Sequence, residues 1–183
     1  MRLIPFTLAV FISASVLIAS DAPKRSSELQ VLDYLIGDWE TVVTVKETGA
    51  KSTSIQTRKW SRDGKFVLSE ELDISANRES HFLVTYDPTA KKYRACFMNE
   101  GATVPLLGTW DESNKTMTWK STDVAFKHDG VHRRVNEDLV EWTMTVTSPE
   151  GKVVLDMSAK QTRRKQQNSP NKTVNPSGGS GGF

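Results

Sequence analysis

Residues 32–45 read Leu-Asp-Tyr-Leu-Ile-Gly-Asp-Trp-Glu-Thr-Val-Val-Thr-Val, and the spacing of apolar positions changes inside this stretch. As far as Ile36 the spacing is helical: Leu29, Leu32 and Ile36, with Leu35 beside them, form one face. From Asp38 onward the period is two. Trp39, Thr41, Val43 and Val45 share one face, and Glu40, Val42, Thr44 and Lys46 share the other. Gly37 stands at the switch, where a helix can end in a left-handed conformation that a side chain would obstruct. Upstream, Ser26 or Ser27 can cap the helix, and Glu28 puts a negative charge in its first turn, where the helix dipole favours it. Trp39 is expected to plug one end of a sheet, its indole N–H finding a partner at the rim.

Period two continues down the chain. Ser52 to Trp60 is polar but rich in β-branched residues, and Asp63-Gly64 supplies a hairpin turn. Phe66, Leu68, Glu70, Leu72 and Ile74 then share a face, with Val67, Ser69, Glu71 and Asp73 opposite, which sets Glu70 on the apolar side. Ser80 to Tyr86 and Lys92 to Met98 flank a turn around Pro88, and Tyr93, Ala95 and Phe97 lie in phase. A second Gly-x-Trp, Gly108-Thr109-Trp110, precedes a strand that carries Met117 and Trp119. His128-Asp129-Gly130 reads as the next turn, Val140, Trp142, Met144 and Val146 as an apolar face, and Val153, Leu155 and Met157 as the last one. Roughly eight to ten short strands separated by turn chemistry make an all-β antiparallel meander. Closure into a barrel removes its exposed edges; a β-sandwich is the alternative.

The 183 residues, 37% of them hydrophobic, suffice for one domain with its own core, placed at residues 26–160. Met1-Arg2 followed by an apolar run to Ala19 reads as a secretory signal peptide over residues 1–20, cleaved after Ser20; a retained anchor is the alternative. Residues 161–183 combine Arg163-Arg164-Lys165 with Asn, Ser, Pro and Gly and are expected to be a disordered basic tail. Five of the 24 basic residues fall in these two ends, which leaves 19 against 22 acidic residues between them. A slightly acidic body with a basic tail does not look like a nucleic-acid-binding domain, and no nucleic-acid partner is expected. Cys96 is the sole cysteine, so the domain has no internal disulfide and stands on its core; within a strand, a buried inert thiol is expected. Export without disulfides suits a bacterial envelope protein.

Two motifs in this order carry a resemblance: Leu35-Ile36-Gly37-Asp38-Trp39 at the end of the helix, and Tyr86-Asp87-Pro88-Thr89-Ala90-Lys91-Lys92-Tyr93 as a later hairpin. Over about residues 29–160 the pattern resembles the lipocalin-like (calycin) superfamily, and more narrowly an uncharacterised group of exported bacterial proteins classed as a domain of unknown function. The resemblance implies a barrel with an internal cavity and no known chemistry.

The five tryptophans, Trp39, Trp60, Trp110, Trp119 and Trp142, lie on separate strands and either line an aromatic pocket or fill the barrel. The expected ligand-binding set is Trp39, Phe66, Leu68, Glu70, Arg94, Trp110, Trp119 and Trp142. An inward Glu70 would need a partner, which Arg94 or His81 could supply; at an edge or bulge it would point to water instead. His128 and His132 flank the Asp-Gly turn and read as surface residues, with cross-strand metal binding beside Asp129 as the alternative; His81 is the one candidate axial haem ligand. Asn114-Lys115-Thr116 and Asn171-Lys172-Thr173 match glycosylation acceptors. The sequence carries no nucleophile elbow, zinc helix, phosphate loop or Cys-x-x-Cys, so neither a metal nor a cofactor is expected. The resulting expectation is a periplasmic or secreted barrel, free of the membrane after cleavage, that binds a small apolar or amphipathic molecule without catalysis. The alternatives are an envelope interaction or scaffold protein with a filled barrel and a contacting tail, or a barrel enzyme using Glu70 as acid or base.

Overall fold

Alternating side chains from Asp38 onward build ten strands that curl until the first meets the last. The computed structural model describes residues 24–123 and 125–165. The segment expected to be a signal peptide, residues 1–20, and the expected tail beyond Lys165 lie outside the described residues. In chain order the strands are β1 (Gly37–Val45), β2 (Lys51–Trp60), β3 (Val67–Asp73), β4 (Arg78–Asp87), β5 (Lys92–Asn99), β6 (Ala102–Asp111), β7 (Thr116–Ser121), β8 (Lys127–Arg134), β9 (Leu139–Thr147) and β10 (Val153–Arg163). Each pairs antiparallel with its chain neighbour, and β1 also pairs with β10, Trp39 opposite Arg163 and Val45 opposite Met157. The ring is therefore a closed barrel, not a sandwich. The last strand extends to Arg163, three residues past the boundary expected from sequence, and those residues complete the pairing with β1.

Helix α1 (Ser27–Gln30) is capped by Ser26, whose Oγ accepts from Leu29 N, and runs on as a 3₁₀ turn over Val31–Leu35. Gly37 follows with φ +119°, and a Cβ there would lie 2.5 Å from Arg163 Nη1. This segment closes one end of the barrel. Leu32, Tyr34 and Leu35 pack on Trp39, Val67, Val84, Tyr93, Met117 and Val140 as a continuous apolar floor. Trp39 Nε1 donates to Leu35 O at 2.9 Å, so the indole satisfies a carbonyl that the helix end leaves free. Arg163 lies 4.3 Å over the Trp39 ring, donates to Tyr34 O and Glu137 O, and pairs with Asp138 at 3.2 Å. Tyr93 Oη donates to Glu28 O at 2.9 Å, while Trp60 Nε1 donates to Asp33 at 2.9 Å and carries Arg25 over its ring. Trp110 stacks on Tyr34 and donates to Glu112. Three of the five tryptophans thus hold the helix in place.

Two faces come out opposite to expectation. In β3 the inward series is Val67, Ser69 and Glu71, while Leu68, Glu70 and Leu72 point outward, Leu72 being exposed. The wall that β3 helps to form is polar inside, so an apolar-inward reading reverses it. In β8, His128-Asp129-Gly130 is strand, not turn. Gly130 stands opposite Trp119, whose Cβ would be 3.7 Å from a Cβ on the glycine, and His132 follows on the inner face. Cys96 lies on the outer face of β5, half-buried rather than in the core.

Candidate functional site

Above the floor the barrel interior divides in two. On one side β1, β2, β3 and β10 send inward Thr41, Gln56, Arg58, Ser69 and Gln161, all buried. Arg58 is only 7% exposed. Its Nη1 donates to Gln161 Oε1 at 3.4 Å, its Nη2 donates to Gln56 Oε1, and Gln161 Nε2 donates to the same Gln56 oxygen at 3.1 Å. The two amide oxygens hold the guanidinium but do not neutralise it. Burial pushes Arg58 down to about 10, against the attraction of Glu71 and Tyr34, so at neutral pH it keeps its charge. Glu71 is the near carboxylate, yet its oxygens accept from Ser54 Oγ at 2.5 Å and Ser80 Oγ at 3.4 Å. Among the described residues no carboxylate forms an ion pair with Arg58.

The facing side is aromatic. Trp119 lies over β6, where Gly108 makes room for it: a Cβ on Gly108 would sit 2.5 Å from Trp119 Cζ3. Phe82 meets Trp119 edge-on with centroids 6.0 Å apart, and His132 stacks on Trp142 at 6.0 Å while presenting its edge to Trp119. Burial, with a smaller effect from Arg58, pushes His132 down to about 3, which leaves a neutral imidazole facing the guanidinium side. Three buried polar atoms on these two sides have no hydrogen-bond partner: Arg58 Nε, Thr41 Oγ1 and Trp119 Nε1. Native proteins leave few such atoms, and a charged one is the costliest.

Toward the end opposite the helix the inner wall stays half-buried at Val43, Phe97, Leu106 and Met144. The rim there carries the exposed apolar residues Leu72, Ile74, Phe126, Val153 and Val154. A separate concavity of about 660 Å³ runs over the outer faces of β1, β8, β9 and β10, past Val42 and Val131, where Arg133 and Lys160 both pair with Glu141.

Of the residues expected to bind ligand, Trp119 and Trp142 flank His132 inside the barrel, and Trp39 lies beneath them in the floor. Trp110 belongs to the helix contact. Phe66 sits in the turn before β3, and Leu68 faces outward. The side chain of Glu70 is 67% exposed, paired with Lys59 at 3.9 Å and opposite His81 on the outer wall; Arg94 is outside too, paired with Asp87 at 2.6 Å. Glu70 and Arg94 therefore do not share a site. Glu70→Gln is expected to change stability by less than about 0.5 kcal/mol, as for an exposed surface pair, measured by urea denaturation. Sequence reasoning missed Arg58, Gln56, Gln161 and the inward placement of His132. The available signal was parity: Gln56 and Arg58 lie in phase with Trp60.

Fold and interior together define a lipocalin-like barrel, shut at one end by a helix and lined by a polar and an aromatic wall. The chain belongs to the family described as "Protein of unknown function (DUF1579)", whose model matches residues 24–163. Among curated proteins, none matches it. Solved structures of similar fold include Rv2717c from M. tuberculosis, with a TM-score of 0.57 and 12% identity over 78% of this chain and 100% of that one. Another is the S-type phycobiliprotein lyase CPES from Guillardia theta, with a TM-score of 0.54 and 10% identity over 78% of this chain and 96% of that one. At these identities the likeness is one of fold. Such a barrel is compatible with binding a small molecule.

Proposed function

We propose that the protein is an exported, non-catalytic binder of a small amphipathic molecule, taken up inside the barrel from the end opposite the helix. The observation that carries this reading is the divided interior: unpartnered polar groups on one side, stacked aromatics on the other, and a half-buried apolar wall leading out to an apolar rim. A wholly apolar ligand would leave the polar groups unpaired, and a wholly polar one would waste the aromatic wall. The enzyme alternative rested on Glu70 lying inside, and Glu70 lies outside.

Export rests on the apolar run of residues 3–19. Mass spectrometry of the protein isolated from its own cells tests both parts. Under denaturing conditions the mature chain is expected to begin at Asp21, and the full-length mass found in the cytoplasmic fraction would overturn export. Under native conditions a retained organic molecule of low mass is expected, lost on unfolding. The outer concavity favours a second reading, in which a partner protein docks across β1, β8, β9 and β10. A co-purifying protein with no small molecule, released by Val42→Glu or Val131→Glu, would replace the first reading with the second.

A further inference from the structure

We propose that the ligand carries a carboxylate and that Arg58 is its anchor inside the barrel. The proposal rests on the binding reading above and names the chemistry that would complete it. A guanidinium taken out of water is expensive unless an opposite charge meets it, and the two glutamine oxygens supply polarity without charge. Glu71, the residue placed to neutralise it, is committed to Ser54 and Ser80. The barrel therefore holds a cation for which it has no paired anion.

Geometry selects the kind of anion. Gln161 and Gln56 each accept from one of the two Nη atoms, and Nε has no partner. A guanidinium presents its N–H groups as a rigid planar fork, and a planar carboxylate matches the edge containing Nε with two parallel hydrogen bonds. The glutamines orient that fork, since Gln161 also donates to Gln56 and fixes both amides. Two further donors without partners, Thr41 Oγ1 and Trp119 Nε1, belong to the same interior and are 0% and 4% exposed as residues. His132, held neutral, adds no competing positive charge. The half-buried apolar residues toward the mouth then accommodate the body of the molecule, so the class is an amphipathic carboxylic acid with an apolar tail.

Isothermal titration of the mature chain with dodecanoate, dodecanol and dodecyl phosphate, each below its micelle concentration, separates the possibilities. Wild-type protein is expected to bind dodecanoate about ten- to a hundredfold more tightly than dodecanol, the range for a charge-assisted hydrogen-bonded pair. Arg58→Met is expected to lose that preference, and Arg58→Lys, which keeps the charge without the fork, to fall between. Equal affinity of the wild type for acid and alcohol would overturn the proposal and leave the binding reading standing. An unchanged preference in Arg58→Met would do the same. Tighter binding of the phosphate than of the carboxylate would overturn the choice of anion. Binding of none of the three would overturn the binding reading and this proposal with it. Should Arg58→Met fail to fold, the wild-type comparison and Arg58→Lys decide the matter.

Discussion

Trp39→Ala will lower the free energy of unfolding by about 3–5 kcal/mol, the range for removing a fully buried aromatic from a core. Trp39 is 0% exposed and sits where the helix, β1 and β10 converge. Its loss empties the centre of the floor, leaves Leu35 O without its donor and takes away the ring on which Arg163 lies. Each of the last two adds to the cavity cost. Against a total stability of roughly 5–15 kcal/mol for an ordinary domain, this is a large share. The midpoint of urea unfolding reports it. Trp39→Phe keeps much of the volume but not the N–H, and is expected to cost about 1–3 kcal/mol, combining a smaller ring with an orphaned carbonyl. A Trp39→Ala variant within 1 kcal/mol of wild type, roughly the centre of ordinary point mutants, would remove Trp39 from its role as the plug.

The second large effect is a dependence on acid. His132 ordinarily titrates at 6.5, and in the folded barrel burial takes it down to about 3. Above 6.5 the imidazole is neutral in both folded and unfolded chains, and pH has no leverage through it. Between 6.5 and 3 the unfolded chain binds a proton that the folded one refuses, so stability falls as pH falls. The slope is about 1.4 kcal/mol per pH unit, and the loss is complete once pH passes below the folded value. His132→Phe retains an aromatic ring against Trp142 and Trp119 and removes the proton. Wild type and variant are expected to run parallel above pH 6.5 and to diverge by a few kcal/mol near pH 4, on the order set by that slope. Subtracting one curve from the other cancels the carboxylates common to both. A difference flat across this window would mean that His132 reaches water.

The strands that were legible in the sequence are those whose inner face is apolar. Trp39 to Val45, Met117 with Trp119, and Val140 to Val146 alternate clearly, and the helix announced itself through Ser26, its leucines and Gly37. Strand β3 failed on the same rule. Its inner residues Ser69 and Glu71 lie opposite Arg58 and Gln56, and that polar neighbourhood exists only once β2 and β3 are paired. Until the pairing is known, Leu68 and Leu72 look like the core. The glycines failed similarly. Gly130 reads as a turn because Asp precedes it, whereas it stands inside β8 opposite Trp119, and the glycine that leaves space for that indole is Gly108 on β6, a relation between residues 108 and 119 with no local signature. The candidate site draws on β1, β2, β3, β4, β7, β8, β9 and β10 at once, and single-strand periodicity has no way to assemble it.

The seam between β1 and β10 has a consequence for how the chain matures. The guanidinium that secures the N-terminal lid comes from the final residue of the final strand. A ribosome must therefore release nearly the whole described chain before that lid can lock, and the nascent polypeptide spends its synthesis as an unfinished ring with two raw margins. Such long-range closure belongs to the slow, millisecond-to-second end of the roughly six orders of magnitude that single domains span. Stopping synthesis just short of Arg163 would yield a protein with nearly all its hairpins and no latch.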